Sequence, residues 1–311
     1  MTSEELIESV KRRASIPESQ VTFEREDFLD LANEEMAIGL VPTILQYHEE
    51  YLVYIEDVVL TENTLKYPIP YRAIGNKLRQ ISYVDASNNE WEMVRINPED
   101  IFQNNALIES GFPRRFKIEA GKVVLVASST NTFTGSLRFR YFLRPNALVV
   151  LERGAQISAI DTITGAITFT ASVPDNFTTS ILYDFNRAKP DHRILSFDVT
   201  PTAVGTNSIT VDPSDLPDGL EVGDYVCQSG ETVIPNIPTD LHVELAHRVA
   251  ARCLESLGDA AGLAAANAKL QEMENKTGTL LDNRVEGSPQ KVINRHSNLR
   301  YGLRTGWRRR G

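Results

Sequence analysis

The sequence predicts an α+β protein: a helical bundle formed by N- and C-terminal helices, a large inserted β-rich region of sandwich or barrel type, and an extended C-terminal arm. Apolar residues recur at helical spacing in residues 1–51 and again in 238–286. Between them, from Leu52 to about Pro238, the period falls to two. Long runs of one element type followed by runs of the other argue for segregated helices and strands rather than an alternating α/β sheet. The expected units are residues 1–51 (N-terminal helices), 52–145 and 146–237 (two β units), 238–286 (C-terminal helices) and 287–311 (arm).

Residues 2–14 read as a short helix, with Thr2 and Glu5 spaced for a capping box, Leu6 and Val10 on one face, and Pro17 as a stop. A second helix is expected from about Glu24 to Ile38, with Phe28, Leu31, Ala32 and Met36 as its apolar stripe. Gly39 and Pro42 are expected to interrupt it, and a third helix to start near Pro42, a residue tolerated in a first turn.

In the β region, Leu78–Val84 and Trp91–Ile96 flank a turn-rich stretch and read as a hairpin, as do Arg115–Ile118 and Val123–Ala127. Ser136–Arg144 is the clearest strand, with Leu137, Phe139, Tyr141 and Leu143 on one side and arginines on the other. Pro145-Asn146 suits a seam between two β units. A third hairpin joins Gln156–Ile160 to Ala166–Ala171. Ile181–Phe185, Ile194–Val199, Ser208–Asp212 and Tyr225–Cys227 are further short strands.

Pro238–Leu281 is the longest helical stretch. Thr239 is expected to N-cap it, and Leu241, Leu245, Val249, Cys253 and Leu257 recur every four residues. Gly258-Asp259 marks a break. Beyond it, Leu263, Ala266, Leu270, Met273, Thr277 and Leu280 alternate steps of three and four, a heptad seam that needs a partner surface.

The chain has 311 residues, 41% hydrophobic and 24% charged, as in an ordinary globular protein. No apolar run approaches the roughly 18–20 residues that span a bilayer. The start, Met1–Glu5, lacks the basic and apolar regions of a secretory signal, and two cysteines make no disulfide scaffold, so synthesis in a reducing cytoplasm is expected. The net charge of −10 argues against a general nucleic-acid binder. Residues 287–311 carry seven basic and no acidic residues, which leaves −17 on residues 1–286.

No phosphate-binding loop, GxGxxG or GxSxG motif occurs. His242 and His247 are spaced by five and lie about 140° apart on a helix, whereas a zinc-binding helix needs a spacing of four. The pairs Glu34-Glu35 and Glu49-Glu50 are adjacent and diverge, as solvated faces do. No catalytic residue, metal site or cofactor is expected.

The arm interleaves cations with Val292, Ile293, Leu299, Tyr301, Leu303 and Trp307. It suits a recognition segment, since Trp, Tyr and Arg anchor interfaces. A solubilising tail and a single-strand nucleic-acid groove are the other readings.

Several stretches together resemble the head-to-tail adaptor (connector, or neck) proteins of tailed bacteriophages, which dock under the portal ring. They are Phe28-Leu-Asp-Leu-Ala-Asn-Glu-Glu35, Val41-Pro42, Tyr67-Pro-Ile-Pro70, Val222-Gly-Asp-Tyr-Val226, Ile237-Pro-Thr-Asp-Leu-His242, Leu257-Gly258-Asp259 and the basic end. The resemblance covers most of the chain as patterns of texture, and the large β insertion departs from the smallest adaptors, which are nearly all helix. It implies a dodecameric homo-oligomeric ring in the virion neck, assembled after synthesis in the host cytoplasm, with no cofactor and no membrane contact. The implied partners are the portal protein and a downstream tail or neck protein, with genomic DNA passing through without specific binding. The portal would be met by the arm, through Lys291, Arg295, Leu299, Arg300, Tyr301, Leu303, Arg304, Trp307, Arg308, Arg309 and Arg310. The acidic body makes Glu34, Glu35, Glu49 and Glu50 candidates for a channel lining that does not hold DNA. A tail tube or collar component is the second reading within virion proteins. An enzyme or ligand-binding protein using the β insertion is the alternative from another class.

Overall fold

Thr2 and Glu5 cap each other at the start of the chain: the Glu5 amide donates to Thr2 Oγ1 at 3.3 Å and the Thr2 amide to Glu5 Oε2 at 2.9 Å. This reciprocal pair satisfies two donors that a helix start leaves orphaned, and α1 (Ser3–Arg13) follows. Glu24 and Asp27 build the same device at the start of α2 (Arg25–Glu35). The structure is a computed structural model and describes residues 1–17, 22–97, 112–126 and 134–281. Its elements are mixed α+β.

The expected interruption at Gly39 and Pro42 does not occur. The helical path continues from α2 through a π-helical turn (Met36–Leu40) into α3 (Val41–Tyr47). A proline inside an α-helix supplies no N–H and clashes with the carbonyl four residues back. The π turn widens the coil at that point, with the Val41 amide donating to the Met36 carbonyl five residues back, so the ladder passes Pro42 without a break.

A short 3₁₀ turn (Glu49–Leu52) leads into β1 (Val53–Val59). The first β region then adds β2 (Lys66–Pro68), β3 (Ala73–Val84), β4 (Glu90–Glu92), β5 (Val94–Arg95), β6 (Arg115–Glu119), β7 (Lys122–Leu125) and β8 (Ser136–Leu143). They form two four-stranded sheets, ordered β1-β8-β3-β4 and β2-β7-β6-β5. Ile81, Leu137, Phe139 and Tyr141 from one sheet share a core with Phe116, Val123 and Leu125 from the other. The alternation expected in β8 holds on this side. On its other side Phe142 is also buried, packed into the core of the helices.

The second β region comprises β9 (Ala147–Leu148), β10 (Ala155–Asp161), β11 (Ala166–Phe169), β12 (Tyr183–Asn186), β13 (Ile194–Val199), β14 (Pro201–Val204), β15 (Ser208–Val211), β16 (Tyr225–Gln228) and β17 (Glu231–Thr232). Seven of these form one sheet, ordered β13-β12-β16-β10-β11-β15-β14, while β9 and β17 pair in parallel beside it. Ile157, Ile167, Phe169, Tyr183, Phe185, Ile209 and Val226 meet in a single core, so the sheet curls on itself.

After β17, Thr239 does not cap the helix as expected. Thr239–Leu241 form a 3₁₀ turn without a side-chain cap, and the Thr239 hydroxyl donates instead to the Pro190 carbonyl at 3.3 Å. α4 (His242–Leu257) ends at Gly258, whose φ of +74° is the left-handed conformation that a helix stop asks of glycine. The Asp259 carboxylate accepts from the Gly262 amide at 3.0 Å and starts α5 (Ala260–Leu281). The stripe Leu241, Leu245, Val249 and Cys253 is buried against Leu6, Val10, Phe28 and Ala32 from the N-terminal helices. Leu257 and Leu280 depart from the expected stripe and seam: both are exposed, and Leu281 takes the buried place at the end of α5. No helix among the described residues is long and apolar enough to cross a membrane.

Candidate functional site

Arginine side chains fasten the helices to one another. Arg248, on α4, bonds Glu244 one turn back through Nε at 3.0 Å and Glu274 of α5 through Nη2 at 2.6 Å, and its Nη1 lies 3.6 Å from Glu35 at the end of α2. Arg252 Nε adds a 2.7 Å bond to Glu35. Glu244 is almost fully buried, and its second oxygen accepts from the Thr277 hydroxyl at 2.6 Å. Three helices therefore meet at one partly buried charge cluster. Gly39 makes room for it, because a Cβ there would stand 2.8 Å from Arg248 Nη1.

This cluster bears on the four acids proposed for a channel lining. Glu34 is exposed on α2 and makes no ion pair among the described residues. Glu35 is committed to Arg248 and Arg252, so it is an internal fastening rather than a free surface charge. Glu50 forms a two-pronged pair with Arg79 of β3, and this hydrogen bonding holds its carboxyl below the usual range. Glu49 lies 3.7 Å from the same guanidinium. Adjacent in sequence, the members of each pair thus differ in how much free charge they present. The arm residues Lys291, Arg295, Leu299, Arg300, Tyr301, Leu303, Arg304, Trp307, Arg308, Arg309 and Arg310 lie outside the described residues.

A cleft of about 480 Å³ opens where the helices meet both β regions. Met36, Ala37, Val41 and Ile74 form apolar walls, Arg144 and Tyr71 stand at the mouth, and Arg72 and Asn146 form the floor. Arg72 is buried and fully engaged. It grips Asp184 with Nη1 at 2.6 Å and Nη2 at 3.0 Å, and bonds Asn146 Oδ1, Asp198 Oδ1 and Ser229 Oγ, each at 2.9 Å. The Phe197 ring faces its guanidinium at 4.8 Å. Asp184 also accepts from Asn146 Nδ2 at 2.7 Å and from the Asp198 and Gly230 amides at 2.9 Å.

Burial opposes the charge on Arg72, but the hydrogen bonds and charge of Asp184 overcome it and carry the guanidinium above its usual range. Burial pushes the Asp184 carboxyl up, and Arg72 pulls against that rise. Removing one partner of such a buried pair costs about 3–5 kcal/mol, because the other charge is stranded. The clamp joins residue 72 of the first β region to 184, 198 and 229 of the second across the Pro145-Asn146 seam.

Sequence reasoning about motifs missed both Arg72 and Asp184. The available signal is the charge set between aromatics in Tyr183-Asp184-Phe185, since a carboxylate inside a buried strand requires a cationic partner.

Cys227 and Cys253 are buried and free, and burial raises both thiols, Cys253 to about 11, away from the thiolate that reacts. Among the described residues no group of three or more His, Cys, Asp or Glu side chains is placed to hold a metal ion. No protein-family model matches the chain, and no curated protein matches it.

Proposed function

We propose that the chain is a structural adaptor of a tailed-phage virion: a ring-forming protein that docks under the portal, connects it to the tail and lets DNA through. In this reading the terminal helices form a bundle at the base, the two β regions project from it as an insertion, and the arm reaches the portal. The observation that carries it is the contrast along one path of chain. α5 runs for 22 residues with two of them buried, and residues 287–311 further on carry seven cations and no acids. A long helix that leaves most of its surface exposed, followed by cations interleaved with Tyr301 and Trp307, suits a protein that meets other proteins at that end.

The charge distribution supports the same reading. A body carrying −17 does not attract duplex, whereas a basic arm is steered toward an acidic partner. Of the four acids, Glu34 and Glu49 are the better lining candidates, because Glu35 and Glu50 share their charge closely with arginines.

The test is deletion of residues 287–311. The truncated protein should remain folded and soluble and no longer bind purified portal. Binding equal to that of the full chain would refute the assignment. At no more than ~3.3–3.6 Å per residue, the segment can extend roughly 80–90 Å. Within it, Tyr301→Ala and Trp307→Ala should weaken binding more than any single arginine change, because an exposed ion pair is worth about 0–1 kcal/mol and a buried aromatic more.

A further inference from the structure

Two imidazoles lie face to face where the second β region meets the helices. His192, in the loop between β12 and β13, and His242, the first residue of α4, stack with ring centroids 4.6 Å apart and planes inclined by 19°. Both are buried, at 4% and 3% exposure. His242 Nε2 sits 3.2 Å from the Ile237 carbonyl oxygen, and the Ala188 backbone bonds the other ring. Nδ1 of each ring is buried without a partner. A carbonyl can only accept, so the Nε2 of His242 carries the proton and its Nδ1 is a bare lone pair. A proton added at Nδ1 would create a buried cation pressed against the second ring, which the backbone of Pro235 offsets only in part, since burial still holds the imidazole low.

The loop carrying His192 is held to the helices by uncharged hydrogen bonds. Tyr51 Oη donates to the Asp191 carbonyl at 2.5 Å, Asn236 Nδ2 to the His192 carbonyl at 3.1 Å, and Thr239 Oγ1 to the Pro190 carbonyl at 3.3 Å. The charged groups that face the imidazoles are the Met1 amino group, Lys189 and Asp191. Asp191 already lies 3.3 Å from Arg193 Nε and 3.7 Å from Arg187 Nη1, so its charge is shared before any histidine ionises.

We propose that the His192–His242 stack is an acid-released latch: with both rings neutral it holds loop 187–193 of the second β region on the helices, and a proton on either ring frees the loop. Burial depresses both imidazoles, His242 to about 3. A base depressed in the folded state takes up fewer protons than it does in the unfolded chain. The latch therefore contributes fully above the ordinary imidazole value of 6.5 and is lost progressively as pH falls from there toward about 3.

Hydrogen exchange of amides 187–193, corrected for intrinsic rates and compared at about pH 7.5 and about pH 4.5, tests this. In the unaltered protein, protection of the loop should fall roughly tenfold or more while the centre of α4 keeps its own. His192→Phe combined with His242→Phe keeps two stacking rings that take no proton, and the loop of this double variant should lose less than about twofold over the same span. Equal loss in both proteins would overturn the latch. The unaltered protein carries a second check that needs no variant. Of its five histidines, His192 and His242 should both titrate below 6.5, with His242 the lower, when followed through their ring-proton shifts. Ordinary midpoints for all five would overturn the proposal as well.

Discussion

Helix α4 buries nine of its 16 residues, whereas α5, which packs directly against it, buries two of 22. The apolar stripe of α4 is strongly one-sided, whereas α5 is only weakly amphipathic, so the sequence already separates them in part. The difference lies in what surrounds each. α4 is enclosed by α1, α2 and α5, and its Leu245, Val249 and Cys253 are completely buried. α5 meets α4 along one side and α3 at its far end, and its Ala261, Ala264, Ala265 and Ala268 remain exposed. One helix is enclosed by its neighbours, and the other leaves most of its surface open.

The largest effect expected from this contrast is on stability. Leu245→Ala should destabilise the protein by about 2–5 kcal/mol in denaturant unfolding, because its site is closed on all sides. The matching change in α5, Leu270→Ala, should cost under about 1 kcal/mol, because Leu270 is half-buried at the edge of a groove. Comparable losses at both positions would erase the distinction. An intermediate effect belongs to the charge cluster that ties the two helices together. Arg248→Met should cost about 1.5–3 kcal/mol, the range for hydrogen bonds to charged groups, since Glu244 then lies buried with Thr277 as its remaining partner. A loss near zero would show that the cluster does not fasten α5. The smallest effect is at Leu280, 65% exposed. Leu280→Ser should leave monomer stability within about 0.5 kcal/mol and weaken self-association measured by sedimentation. A clear loss of stability would mean that α5 is held more firmly than its burial indicates.

Features with a local period are legible in the sequence. The stripe Leu241 to Cys253 survives because one helix face meets one core, and the Thr2–Glu5 box because both partners lie within one turn. The hairpin around Asp161 is legible because turn residues separate alternating runs, and the one around Asp85 only as far as Glu92, because Val94 and Arg95 leave the expected strand Trp91–Ile96 to pair in parallel with β6. What depends on distant partners is not. Arg72 and Asp184 are 112 positions apart, and His192 and His242 come from different regions, so neither pairing leaves any spacing to detect. Pro42 misleads for another reason: it lowers the stability of an α-helix, but the backbone has the π turn as a further solution. Leu280 and Leu281 exchange roles because one residue at the end of a weakly buried helix turns the exposed face inward by about 100°.

The central claim, a ring-forming structural protein that docks on a portal, is tested most directly by mass in solution, measured on the full chain alone and mixed with purified portal. The account predicts a discrete closed oligomer that combines with the portal into one heavier complex. A chain that stays monomeric at every concentration and leaves the portal mass unchanged would contradict it.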